Sequence, residues 1–190
     1  MRLVVPASTV SVERALAGAR SAPTSFDPST RDDGRAYEHD LLGGVVGRGE
    51  GGFAVAASGL RSWATHRVAG VRVFPAGVPV LLDRVYLVTF GTPVLAMVAP
   101  CRVTDLVDEP GRAGFTYATL AGHPEEGEER FAVELDASGE VRCTIEATSR
   151  PASGLLRATT PVNRLVQHHV AHGYLRALRR HVARHAEQVA

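Results

Sequence analysis

Between Phe115 and Phe131 the chain reads FTYATLAGHPEEGEERF, which sets a tyrosine, a lone histidine and four glutamates among apolar residues. Alternation enters at Phe115 and Tyr117 and leaves at Phe131, Val133 and Leu135, so the stretch predicts strand, polar turn, strand. Gly122, Pro124 and Gly127 suit the turn because they free or fix backbone dihedrals. In the second strand Glu129 falls in phase with Phe131, Val133 and Leu135, while Glu128, Arg130, Ala132 and Glu134 fall on the other side. A carboxylate on an apolar face must be paired, hydrogen-bonded or protonated, because burying it bare is costly. Tyr117 and His123 lie on or just past the partner strand. Tyr117, His123 and Glu129 are therefore the candidate catalytic set, with His123 and Glu129 as acid and base. Phe115 and Phe131 are expected to give a ligand apolar contact beside them. The alternative is that His123 and Glu129 only pin the turn through backbone hydrogen bonds.

Other chemistry-bearing residues give weaker signals. Arg102 and Arg150 are candidates to clamp a ligand carboxylate or to pair with Glu129, and strand parity leaves their direction open. Trp63, the single tryptophan, is expected to anchor a helix on a sheet, with ligand contact as its other role. Glu125, Glu126 and Glu128 lack the Asp/Asn-rich spacing of a calcium loop and read as solvated. His168 with His172, and His181 with His185, have the spacing of helical metal ligands, yet no glutamate completes an HExxH. An exposed basic helix is the reading preferred, and no metal and no cofactor are expected. Gly47, Gly49 and Gly52 match GxGxxG, but only two valines precede them and Arg72 stands where an acidic residue is needed. A loop capping the next helix is expected there. No GxSxG occurs, and Ser149, Cys101 and Cys143 have no evident base, so covalent catalysis finds no support.

The elements that must position these residues follow from periodicity. Leu3 to Val5 suits a short strand, and Ser8 or Ser11 caps a helix ending near Arg20. Pro23 to Arg35 reads as loop, Tyr37 to Val46 as a brief extended piece, and Phe53 to His66 as an amphipathic helix. From Val68 the period becomes two. Strands are predicted near Val71–Phe74, Val85–Thr89, Val94–Val107, Gly114–Leu120, Glu128–Leu135 and Val141–Thr148, joined as an antiparallel meander. Pro161 to about Gln188 predicts the longest helix, with Val162, Val166, Val170, Tyr174 and Ala177 on one side and Arg164, His168, His172 and Arg179 on the other. Strands in a run with helices at the ends make an α+β arrangement.

The totals suit one domain over residues 1–190: 45% hydrophobic and 22% charged residues are ordinary globular values. A net charge of +1, with few aromatics in the basic last helix, argues against nucleic acid. Cys101 and Cys143 form neither a zinc ribbon nor a disulfide framework. MRLVVPASTV is too short an apolar run for a signal peptide, and no segment reaches membrane-spanning length. A soluble, cytoplasmic monomer or homodimer is expected, with no membrane partner.

LGGVVGRGEGGF, LRSWATHRVAGV, CRVTDLVDE, FTYATLAGHPEEGEERF, IEATSRPA and PVNRLVQHHVAHGYLRAL together resemble the domain-of-unknown-function family DUF 1990, over roughly Tyr37 to Leu178. The core of the domain would then run from about 37 to 180. Ala118 stands where that family usually has glycine, and Leu82-Asp83-Arg84 stands where a glycine is common; both could reshape a pocket. The family is similar to the START-like, Bet v 1-like helix-grip class. That likeness implies a curved antiparallel sheet wrapped around a long C-terminal helix, with shorter N-terminal helices and an internal cavity. It also implies a small hydrophobic or polyketide-like ligand. The alternative it carries is a cyclase, dehydratase or hydrolase of secondary metabolism, using His123 and Glu129 as acid and base.

Overall fold

The computed structural model describes residues 4–26, 37–92, 94–152 and 160–185, with side chains of the last segment described from Val170 onward. In chain order the elements are β1 (Val4–Pro6), α1 (Thr9–Ala19), β2 (Glu38–Arg48), α2 (Gly49–Arg61), β3 (Val71–Phe74), β4 (Val85–Gly91), β5 (Leu95–Glu109), β6 (Arg112–Thr119), β7 (Glu125–Leu135), β8 (Glu140–Pro151) and α3 (Thr160–His185). Strands β3 to β8 pair in succession, each antiparallel to the next. β2 adds to the outer edge of β8, and β1 pairs with the start of β5 at Leu95 to Met97.

The sheet is open, and this corrects the expectation of a sheet wrapped around the C-terminal helix. Its order is β2-β8-β7-β6-β5-β4-β3, so β2 and β3 are separate edges that do not meet. α3 lies over one end of the sheet, on β2, β8 and α2. A local feature marks each of these two edges. β3 is four residues long and stops at Pro75, which has no amide to donate. Beside the β2 bulge, the Val45 carbonyl accepts from Arg179 Nε at 2.7 Å rather than from a further strand.

Both faces of the sheet are covered. α1, capped by Ser8, packs Val12, Leu16 and Ala19 against Leu87 and Val98 on one face. On the other face α2 and α3 cover the larger core, built from Tyr86, Val103, Phe115, Phe131, Val133, Val141 and Leu178 among others. The expected helix over Phe53–His66 begins earlier, at Gly49, and ends at Arg61. Trp63 then takes the left-handed conformation, φ 58°, which stops the helix. The glycine run is no loop: it finishes β2 and starts α2. Gly47 of that run lets α3 approach β2 closely, and Gly59 further along lets α3 approach α2. A Cβ on Gly47 would meet Val182 Cγ1 at 2.9 Å, and one on Gly59 would meet His181 Cδ2 at 2.7 Å.

Candidate ligand-binding cavity

Strand alternation sends Ile145, Ala147 and Ser149 of β8, Gly127 and Glu129 of β7, and Tyr117 and Thr119 of β6 toward the face that α3 covers. Between that face and α3 lies a cavity of about 240 Å³. Val88, Phe90, Met97, Ala99 and Cys101 extend its apolar wall, while Val170, Ala171 and Tyr174 of α3 close it. The volume is close to the lower end of the roughly 300–1,000 Å³ of small-molecule pockets.

The polar groups are concentrated on β6 and β7. Tyr117 and Glu129 are register partners, and the Tyr117 hydroxyl donates to Glu129 Oε2. The residual exposure of Glu129 is to the cavity it lines, so it does little to relieve desolvation. Burial pushes its carboxyl up to about 7; the Tyr117 bond opposes this and the charge of Glu125 adds to it. Burial, with the neighbouring charge of Glu129, holds the Tyr117 phenol well above its ordinary range. His123 lies just past β6 with Nδ1 2.9 Å from both the Glu125 amide nitrogen and the Glu125 carbonyl oxygen. In its Nε2-protonated tautomer it accepts from that amide. Burial lowers the imidazole to about 4, so it is neutral near pH 7. Thr119 carries the β6–β7 pairing past its last backbone bridge: its Oγ1 accepts from Gly127 N at 2.9 Å and donates to Gly127 O at 3.1 Å.

Three of the eight sequence-predicted site residues, Tyr117, His123 and Glu129, line this cavity. Phe115 and Phe131 lie beneath it in the core, their rings stacked with centroids 5.0 Å apart. Trp63 is also in that core, against Tyr86 at 4.8 Å and Phe115 at 5.2 Å. Arg102 points to the opposite face, where Nη2 donates to the carbonyls of Arg20 and Ala22 at 3.3 and 3.1 Å. Arg150 shares that opposite parity; its Nε donates to Glu126 Oε2 at 2.9 Å and its guanidinium sits 4.3 Å from the Tyr37 ring centroid. Ala118 likewise faces away from the cavity, and Asp83 occupies a left-handed position, φ 60°.

Sequence reasoning passed over Asp40, Glu125, Ser149 and Tyr174 as cavity residues. The phase of Glu129 extended across β8 would have pointed to Ser149, whereas nothing local marks Asp40 on β2. Burial pushes the Cys143 thiol up to about 12 and raises Cys101 as well, which leaves neither as a ready thiolate. His185 Nδ1 lies 2.8 Å from the His181 carbonyl oxygen, and the side chain of His168 is outside the described residues. Among the described residues no helix is long and apolar enough to cross a membrane.

Residues 24–177 match the sequence model of a family described as "Domain of unknown function (DUF1990)". A UPF0548 protein of Deinococcus radiodurans is 46% identical over 77 residues, which are 40% of this chain and only 39% of that protein. A UPF0548 protein of Arabidopsis thaliana is 29% identical over 163 residues, 82% of this chain and 78% of that protein. Among solved structures, a hypothetical protein from Helicobacter pylori superposes with a TM-score of 0.57 at 12% identity, covering 80% of this chain and 92% of that one. A Nitrosomonas europaea protein gives 0.50 at 11% identity, covering 77% and 94%. At such identities the likeness is one of fold.

Proposed function

The chain belongs to the DUF1990 family, and we propose that it binds a small, largely apolar molecule between its sheet and α3. The observation that carries this reading is the cavity itself: a space of about 240 Å³ with aliphatic and aromatic walls and a hydrogen-bonded Tyr117–Glu129 pair in its lining. A well-packed core leaves few voids larger than a water molecule, so a cavity of this size invites an occupant. The apolar part of a ring-containing, polyketide-like molecule would be held by Val88, Ala99 and Ile145, and its polar end by Tyr117, His123 and Glu129.

A second reading, an enzyme of the same fold, draws on one specific observation. A carboxyl held at about 7 exchanges its proton readily near neutrality, as a general acid or base must. Glu129 would take a proton from one atom of the bound molecule and return it to another, neutral His123 would donate a hydrogen bond from Nε2, and the product would be that of a cyclisation, dehydration or hydrolysis. The chain contains no lysine, because all 21 of its basic Lys/Arg residues are arginine, so it has no side-chain amine for Schiff-base chemistry.

Native mass spectrometry of the purified protein tests the binding reading, with octanol titrated as a neutral apolar probe. A bound small molecule or a one-to-one octanol adduct is expected, and Ala147→Phe, which fills the cavity opposite Glu129, should abolish it. Equal adducts on both proteins, or none on either, would overturn it.

A further inference from the structure

The ionisable groups of the cavity wall share one sign. By strand parity Asp40, Glu125 and Glu129 lie on its face, Glu128 borders it from a position of the opposite parity, and among the described residues no arginine lines it. Wall carboxyls act on one another: beside the effect of burial, the charge of Glu125 raises Glu129 and that of Asp40 raises Glu125, which a hydrogen bond from Ser149 opposes. His123 adds no positive charge, because burial keeps it neutral. The same wall carries the rings of Phe90, Tyr117 and Tyr174, whose negative faces attract cations.

We infer that the ligand is an organic ammonium, with its apolar body against Val88, Ala99 and Ile145 and its charged nitrogen at Glu129. This rests on the binding reading above and narrows it. A protonated amine donates to Glu129, which already accepts from Tyr117 and has lone pairs to spare. It also neutralises the repulsion among the wall carboxyls, whereas a carboxylate ligand would add to that repulsion inside a poorly solvated space. Selection therefore works in both directions, by attraction of amines and rejection of acids.

Three molecules with one apolar body separate the possibilities: octylamine, octanol and octanoate, titrated calorimetrically at mildly alkaline pH. Octylamine should bind at least about ten-fold more tightly than octanol, a difference of about 1.4 kcal/mol, and octanoate should bind weakest. Glu129→Gln should bring octylamine to within about two-fold of octanol, both measured on that variant. The exposed Asp40→Asn carries the same comparison with a smaller expected loss, and serves if the Glu129 variant fails to melt cooperatively. Octanol or octanoate matching octylamine would overturn the ammonium inference and leave the binding reading standing. So would an octylamine preference that survives Glu129→Gln or Ala147→Phe. Failure of all three to bind would overturn both.

Discussion

Tyr117 and Glu129 face each other across β6 and β7, and the phenol of one donates to the carboxylate of the other inside the cavity. The two groups are pushed in the same direction for related reasons. Burial disfavours each anion, and the charge on Glu129 further disfavours a phenolate. Tyr117 therefore keeps its proton throughout the physiological range, and Glu129 is the member of the pair that titrates.

Removing the hydroxyl should show this directly. Tyr117→Phe deletes the bond that lowers the Glu129 pKa, so the Glu129 carboxyl should titrate above its present value of about 7. Carbon NMR of labelled glutamate checks it. The stability cost should be about 1.5–3 kcal/mol where Glu129 is ionised, that of a lost hydrogen bond to a charged group.

Glu129 also sets a pH dependence. Its folded pKa is raised, from 4.5 to about 7, so the folded state binds the proton more tightly. Its favourable contribution is full below 4.5 and is lost as pH rises through 7, at about 1.4 kcal/mol per unit of pH while only the folded state is protonated. Glu129→Gln should flatten the fall in stability across that window, measured by urea denaturation at several pH values. An unchanged slope would mean that Glu129 is ionised throughout.

His66 works with the opposite sign. It is buried, stacked on Tyr174 at 4.4 Å, and bonded through Nδ1 to Thr65 Oγ1, while its Nε2 has no hydrogen-bond partner among the described residues. Burial lowers it to about 3, so the unfolded chain takes up the proton first. Stability is full above 6.5 and is lost as pH falls toward 3, a window shared with His123, lowered to about 4. His66→Phe should reduce the acid-side loss and leave the remainder to His123 and to His181, which burial also lowers, read by denaturation between those limits.

Two helical glycines should respond oppositely to alanine. At Gly59 an added Cβ would lie 2.7 Å from His181 Cδ2 and 2.9 Å from Leu178 Cδ1, so overpacking of the α2–α3 contact should cost about 1–3 kcal/mol. At Gly18, in α1, nothing lies within 4 Å, and Gly18→Ala should stabilise by about 0.5–1 kcal/mol through helix propensity alone. Melting temperatures of the two variants check the pair.

Period-two alternation made the meander legible, and it is clearest in β6 and β8, whereas β4 is buried on both faces from Tyr86 to Thr89. It also placed Glu129 in phase with Phe131. It could not decide the direction of Arg102 or Arg150. Both prove to have parity away from the cavity, and each is fixed by partners distant in sequence, Arg20 and Ala22 for one and Glu126 for the other. The start of β7 at Glu125 was hidden because it rests on pairing with the far end of β8, Glu125 with Pro151 and Glu126 with Arg150, beyond the last backbone bridge to β6. The open sheet was hidden too, since closure depends on whether β2 and β3 meet, and no local pattern encodes that. Asp40 joins the site only through the register of β2 on β8.

The account turns on whether the space under α3 is a binding site, and a crystal structure of the protein grown with saturating octanol measures that most directly. Octanol density is expected between β7, β8 and α3, with the chain against Ile145 and Ala99 and the hydroxyl at Tyr117 or Glu129. A cavity closed by its own side chains, or octanol bound only elsewhere on the surface, would contradict it.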